Sequence, residues 1–293
     1  MTAAQSSPPA LSCIGVIGCG LMGSGIAEVF ARAGHRVVVH EVDPRAAERG
    51  RNRIATSLNR AVRAGKIDRD DADTALARIE VDIDLDALID VDLCIEAANE
   101  DEDLKVDLFG RIDQIIKSDT AILASNTSSV PIMKLGTVTQ RPENVVGLHF
   151  FNPVPVLPLV EIVPSLLTSP AVTDTVHKLV ETELGKTVIH SQDRAGFIVN
   201  ALLIPYILSA VRMLESGFAS AADIDAGMVN GCAHPMGPLR LADLIGIDTI
   251  AAIADSMYSE FKEPLYAAPP LLLRMVDAGL LGSKNGRGFY NYH

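Results

Sequence analysis

The run Ile14-Gly15-Val16-Ile17-Gly18-Cys19-Gly20-Leu21-Met22-Gly23 leaves this chain few folds to choose from. A short β-branched stretch leads straight into G-x-G-x-x-G, and a helical pattern from Ser24 to Ala33 follows. Each glycine has a separate task in such a turn. Gly18 permits the tight bend, Gly20 lets the backbone approach a pyrophosphate, and Gly23 lets helix and strand pack closely. Leu21 and Met22 lie in the same turn, beside a helix N-terminus whose free N–H groups and positive dipole end suit phosphates. Strand, glycine turn and helix together predict a dinucleotide site.

The next strand-like run, Val37-Val38-Val39-His40, ends at Glu41, a little over twenty residues beyond Gly18. A carboxylate at that place accepts hydrogen bonds from ribose hydroxyls and repels a 2′-phosphate, so the expected cofactor is NAD rather than NADP. Asp43 is a rival for the same task, but it lies past the strand end, and Glu41 is preferred.

Further along, short β-rich runs alternate with helical patterns. Strands are expected at Cys13–Ile17, Val37–Glu41, Leu93–Glu96, Ala121–Ser125, Val145–Phe150, Leu159–Val163 and Thr187–His190. Helices are expected at Gly23–Ala33, Pro44–Ala64 and Asp103–Lys117 between the early ones. Such alternation predicts an α/β fold with a parallel, Rossmann-type doubly wound sheet. The late runs have only short loops between them and could pair antiparallel at one edge. Near Ser191–Gly196 the character changes, and from Phe197 onward helical periods replace the β-branched runs. A long helix is expected from Ile198 to Leu214, kinked at Pro205. Others follow at Ala221–Met228, Pro238–Asp243, Ile247–Glu260 and Leu271–Ala278. The expected organisation is a floppy tail over residues 1–10, a nucleotide-binding domain over 11–191 and an all-α domain over 192–293.

Charge narrows the partners. With 25 Lys+Arg against 37 Asp+Glu, the formal charge is -12, which argues against a broad nucleic-acid surface. The four cysteines, Cys13, Cys19, Cys94 and Cys232, show no paired spacing, so buried free thiols are expected and no metal site is. Free thiols suit a reducing cytoplasm. The first ten residues do not resemble a signal peptide, and no apolar run reaches the roughly 20 residues of a membrane span. A cytoplasmic protein is expected.

Two later segments carry candidate chemistry. The run Val145–Phe150 leads into His149-Phe150-Phe151-Asn152-Pro153. Oxidising an alcohol needs a group to take the hydroxyl proton as hydride departs, and histidine titrates near neutrality. Glu161 lies about a dozen residues on, inside the apolar run Leu159–Val163, where an unpaired charge is costly. Pairing with His149 across adjacent strands would satisfy the carboxylate and orient the imidazole. A histidine beside phenylalanines is more often structural, and spacing alone leaves that reading open. Ser125-Asn126-Thr127-Ser128-Ser129 follows another strand, where ligands bind in open α/β sheets, though such hydroxyls also cap helices.

Taken together, GCGLMGSGIA, SNTSSVPI, GLHFFNPVPVLPLVEIV, DRAGFIVNALLIPY, HPMGPLRLADLIGIDT and GRGFYNY resemble the L-3-hydroxyacyl-CoA dehydrogenase family, especially its stand-alone 3-hydroxybutyryl-CoA dehydrogenases. The resemblance spans nearly the whole chain after the tail. It implies hydride transfer between NAD and C3 of a 3-hydroxyacyl-CoA thioester. By that resemblance His149 matches the general base, Glu161 its carboxylate partner, and Ser128 the serine that bonds the substrate 3-oxygen. Asn200 matches an asparagine that orients the substrate from the second domain. Asn152 matches a residue of the nicotinamide pocket, and Glu100 and Lys105 match further cofactor contacts. Ser57 and Lys66, in and after a helix carrying Arg51, Arg53, Arg60 and Arg63, are the nearest matches to residues that hold CoA; a solvated basic face is the alternative. A homodimer through the helical domain is also implied.

The chain departs from the pattern in three places. Ala201 follows Asn200 where many members carry arginine, Asn99–Asp103 is unusually acidic, and His234 stands where members often have an aromatic or apolar residue. Two other functions fit parts of the sequence: a dehydrogenase of free hydroxy acids, and a non-catalytic protein that keeps only the nucleotide fold.

Overall fold

A computed structural model describes residues 11–292; the expected tail over residues 1–10 lies outside them. The chain divides into two compact units, Met1–Asp193 and Arg194–His293.

In the first unit the elements run β1 (Cys13–Ile17), α1 (Leu21–Arg32), β2 (Arg36–His40), α2 (Pro44–Arg63), α3 (Arg69–Ala77), β3 (Ile79–Asp82), β4 (Leu93–Glu96), α4 (Glu102–Ile115), β5 (Ile122–Ser125), α5 (Ile132–Thr137), β6 (Val145–Phe150), β7 (Leu159–Pro164), α6 (Pro170–Lys178) and β8 (Thr187–His190). The sheet order is β3-β2-β1-β4-β5-β6-β7-β8. All neighbours are parallel except β6 and β7. The late strands therefore reverse once, at β6–β7, while β8 runs parallel to β7.

Every residue of β1, β4, β5 and β6 is buried, as expected of parallel strands covered on both faces. Helix α1 packs Ile26, Ala27, Phe30 and Ala31 onto this layer; Ile26 and Phe30, both fully buried, each contribute roughly 1.5–3 kcal/mol. Strand order changes direction between β1 and β4, which opens a crevice at their carboxyl ends.

An eighth strand, β3, was not expected. Its sequence Ile-Glu-Val-Asp is only half-buried, and it pairs with β2 alone at the sheet edge. Helix α3 before it is polar and buries only Ala72 and Ala75. Edge elements like these bury too little to leave an apolar run in the sequence.

The second unit holds α7 (Val199–Glu215), α8 (Ala221–Cys232), α9 (Pro238–Ile245), α10 (Ile247–Phe261) and α11 (Pro270–Asp277). Helix α7 continues through Pro205. Ile204, Ile207, Leu208 and Val211 of α7 join Ile247, Ile250, Ala254 and Met257 of α10 in one apolar core. Fully buried Asp243 clips the C-terminal segment to α9 by accepting from the Phe289 and Tyr290 N–H groups and the Tyr292 hydroxyl, at 2.9, 2.9 and 3.0 Å.

All four cysteines are free. Cys13, Cys19 and Cys94 are buried, but Cys232, the last residue of α8, is exposed, unlike the thiol expected there. Among the described residues no helix is long and apolar enough to cross a membrane.

Candidate active site

The crevice is built on the glycine turn. Gly18 has φ +89°, and a Cβ there would stand 2.8 Å from the Ala97 carbonyl oxygen at the end of β4. At Gly23 a Cβ would fall 1.9 Å from the Gly18 oxygen, so helix and turn meet only because that atom is missing. Gly20 differs: nothing lies within 4 Å of its Cβ position. It is also the N-cap of α1 and contributes no side-chain cap, which leaves the first-turn N–H groups to a ligand. Leu21 is exposed in that first turn and Met22 half-buried.

Glu41 follows β2 directly. Its Oε1 accepts from the Cys19 N–H at 2.6 Å and its Oε2 from the Val42 N–H at 3.1 Å, which sets the carboxylate against the glycine turn. Asp43 is occupied differently. It caps α2, accepting from the N–H groups of Arg45 and Ala46 at 2.8 and 2.9 Å. Burial, then the nearby Glu41, pushes the Cys19 thiol up to about 12, so it stays protonated inside the turn.

His149 and Glu161 sit directly opposite each other in the β6–β7 ladder. Directly opposed side chains in an antiparallel pair project to one face, and here the imidazole Nδ1 lies 2.7 Å from Glu161 Oε2. Glu161 is fully buried and His149 is 7% exposed. Because β6 runs parallel to β5, β4 and β1, His149 stands at the same carboxyl edge as the glycine turn.

The serine turn after β5 is held by two carboxylates. Fully buried Glu96 accepts from Lys105 Nζ at 2.6 Å, Ser125 Oγ at 2.6 Å and the Ala98 N–H at 2.7 Å. Glu100 Oε1 accepts from the Thr127 and Ser129 hydroxyls at 2.6 and 2.8 Å and from the N–H groups of Ser128 and Ser129 at 2.8 and 3.1 Å. Ser128 Oγ lies 3.3 Å from the same oxygen. Lys105 is 1% exposed and also reaches Glu100 Oε2 at 3.2 Å. Burial pushes the Glu100 carboxyl up, but Lys105 and these donors outweigh it and hold it below the ordinary range. Asn126 completes the arrangement, its Oδ1 accepting from the Phe150 N–H at 2.9 Å and tying the turn to β6.

A cavity of about 580 Å³ opens beside α1 and α2. Ser57, Arg53 and Arg60 line it from α2, and Asn152, just beyond β6, lines it from the other side. Lys66 does not line it; it is exposed beyond the end of α2. Asn200 lies in the first turn of α7 in the second unit, 8% exposed.

Sequence reasoning missed Glu96 and Asn126. An acid closing an otherwise apolar strand was the available signal for Glu96. Asn126 looked like one more small polar residue in a turn.

The family model described as 3-hydroxyacyl-CoA dehydrogenase, NAD binding domain, matches residues 13–194, and the one described as 3-hydroxyacyl-CoA dehydrogenase, C-terminal domain, matches 196–292. The chain is 55% identical to a 3-hydroxybutyryl-CoA dehydrogenase of Mycobacterium tuberculosis over 283 residues, covering 97% of this chain and 99% of the relative. Among solved structures, M. tuberculosis FadB2 is similar at a TM-score of 0.96 and 54% identity, covering 97% of this chain and 100% of that one. The (S)-3-hydroxybutyryl-CoA dehydrogenase PaaH1 from Ralstonia eutropha follows at 0.91 and 43%, with the same coverage.

Proposed function

The chain belongs to the 3-hydroxyacyl-CoA dehydrogenase family, and from that premise we propose that it interconverts a short-chain (S)-3-hydroxyacyl-CoA, foremost 3-hydroxybutyryl-CoA, and its 3-oxo form. The observation that carries this reading is the His149–Glu161 pair at the sheet edge that also bears the glycine turn.

NAD fits the residues present: the α1 N-terminus faces no side-chain cap, Gly20 has open space, and Glu41 ends β2 as a ribose acceptor. Gly18, Gly20, Leu21, Met22, Gly23 and Glu41 would hold it, with Asn152 toward the nicotinamide. When bound, NAD supplies the hydride acceptor.

The remaining work falls to the chain. With Nδ1 donating to Glu161, His149 carries its lone pair on Nε2, which takes the proton of the 3-hydroxyl. Glu161 then stabilises the positive charge the ring gains, in a setting where solvent screens little. Ser128 donates to the 3-oxygen, and Asn200 is proposed, on the family resemblance alone, to orient the substrate. Glu100 and Lys105 act on the cofactor side by holding the serine turn in place. Ser57 lies in the cavity assigned to the CoA arm, and Lys66, outside that cavity, is proposed as a second contact for the same arm.

The protein is further proposed to act in the cytoplasm, in keeping with its free thiols, without nucleic-acid or membrane partners. A homodimer through the helical unit would cover exposed Leu202, Phe218 and Leu244; light scattering on the purified protein tests it.

The decisive assay is loss of NADH absorbance on adding acetoacetyl-CoA, with free acetoacetate and sugar acids alongside. Turnover confined to the thioester supports the reading, and turnover of free acids alone refutes it. His149→Gln is expected to lose about 10²–10⁴-fold in kcat while still binding NADH.

A further inference from the structure

A second cavity, of about 620 Å³, lies beside the first. The two share Pro155, and α1 forms the floor of both. Leu21, Ser24, Gly25 and Glu28 line the first, and Val29 and Arg32 line the second, a strip at helical spacing along one face. At 1.5 Å per residue, the stretch from Leu21 to Gly34 makes a path about 20 Å long. A path of that shape suits a ligand with a long flexible arm and a multiply charged head.

The far end is cationic. Arg32, Arg78 and Lys186 line the second cavity, against Asp71 and Glu183. Glu183 is engaged with His35, its Oε2 3.2 Å from the ring Nε2. Asp71 stands in the first turn of α3, where it offsets the helix dipole. Arg32 has Glu28 at 3.4 Å, outside the cavity lining. Lys186 is 8% exposed and donates to the Val154 and Leu157 carbonyls at 2.8 and 2.7 Å. Among the described residues no carboxylate lies within 4 Å of its ammonium, and burial, then Arg32, holds it below the ordinary lysine range. One of the five Arg78 N–H donors is used, by the Ala31 carbonyl at 3.2 Å. Three cations and two carboxylates thus line this open volume, in a chain of net charge -12.

We propose that the two cavities form one groove, and that Arg32, Arg78 and Lys186 receive the phosphates at the nucleotide end of the CoA substrate. The proposal rests on the reading of the substrate as a CoA thioester. It extends the CoA contact beyond Ser57 to the opposite end of α1, and it brings in Ile67, the neighbour of Lys66, as part of the outer wall.

The test compares acetoacetyl-CoA with acetoacetyl-pantetheine, which keeps the arm and lacks the nucleotide. The double variant Arg32→Ser/Arg78→Ser leaves Lys186 and its carbonyl contacts in place. The preference for the CoA thioester, as a ratio of kcat/KM values, is expected to fall about tenfold, through KM. Raising the salt concentration on the parent enzyme should erode the same preference without any substitution. A preference unchanged within about twofold in both experiments overturns the groove while the dehydrogenase reading stands. A parent enzyme that turns over neither thioester overturns both.

Discussion

Lys105→Met tests whether buried charge, rather than apolar packing, holds the cofactor edge together. Methionine matches the lysine stem in length and flexibility, so the substitution removes little more than the ammonium. What remains is Glu96, fully buried, with Ser125 Oγ and the Ala98 N–H as its donors and no cation beside it. Breaking a buried ion pair by deleting one partner costs about 3–5 kcal/mol. Two donors persist here, so the lower end applies, about 3 kcal/mol. At roughly 2–4 °C per kcal/mol for a unit of this size, the melting temperature should fall by about 6–12 °C. Circular dichroism melts at neutral pH, without NADH, read the shift. Adding Glu96→Gln removes the stranded charge while keeping a polar group for Ser125, and should recover at least half the loss. A single variant that melts within about 2 °C of the parent, or a double variant no more stable than the single, refutes the argument.

Three further outcomes are expected. Glu161→Gln keeps the shape beside His149 but removes the charge, so kcat for acetoacetyl-CoA reduction should drop about 10–100-fold with KM for NADH little moved; a kcat within about twofold of the parent counts against the pairing. Gly20→Ala meets open space and should leave the melting temperature unchanged while weakening NADH binding about tenfold or more, whereas Gly23→Ala collides with the Gly18 oxygen and should cost at least about 1–3 kcal/mol of stability. Because Glu100 is held below the ordinary carboxylate range, its contribution is complete above the unfolded value of about 4.3 and is lost as pH falls through the lower folded value. The stability gap between the parent and Glu100→Gln, measured by denaturant titration, should therefore be widest near neutrality and close in acid.

How much of this was legible in sequence depended on how local the cause was. The glycine turn was readable because part of its cause is local: Gly18 has a positive φ, and Gly23 abuts the Gly18 oxygen five residues back. Strands β1, β4 and β6 announced themselves through continuous apolar runs, and β3 did not, because Ile-Glu-Val-Asp alternates over only four half-buried residues. The Asp43–Pro44 start of α2 carried its own capping signal, which the structure uses to separate Asp43 from Glu41. Glu96 and Lys105 sit nine residues apart on a strand end and a helix, and only the tertiary fold brings them to 2.6 Å. Asn126 was harder still, since its partner is a backbone N–H on the neighbouring strand.

That division follows from what a catalytic edge requires. A loop at the carboxyl end of a sheet must face its ligand, so it has no apolar face to bury and cannot be fixed by packing. His149 escapes the problem because it belongs to β6 itself, where the ladder sets its register against Glu161. The serine turn has no ladder. It depends on Glu96 and Glu100 pulling hydroxyls and N–H groups inward, and on one lysine that makes two close carboxylates tolerable. A neutral substitute would bind the turn more weakly and would loosen Ser128, the residue proposed to meet the reacting oxygen. The acidic run after β4, an oddity in the sequence, therefore has a physical reason in at least one of its members: Glu100 is the anchor that turns a polar loop into a rigid part of the site.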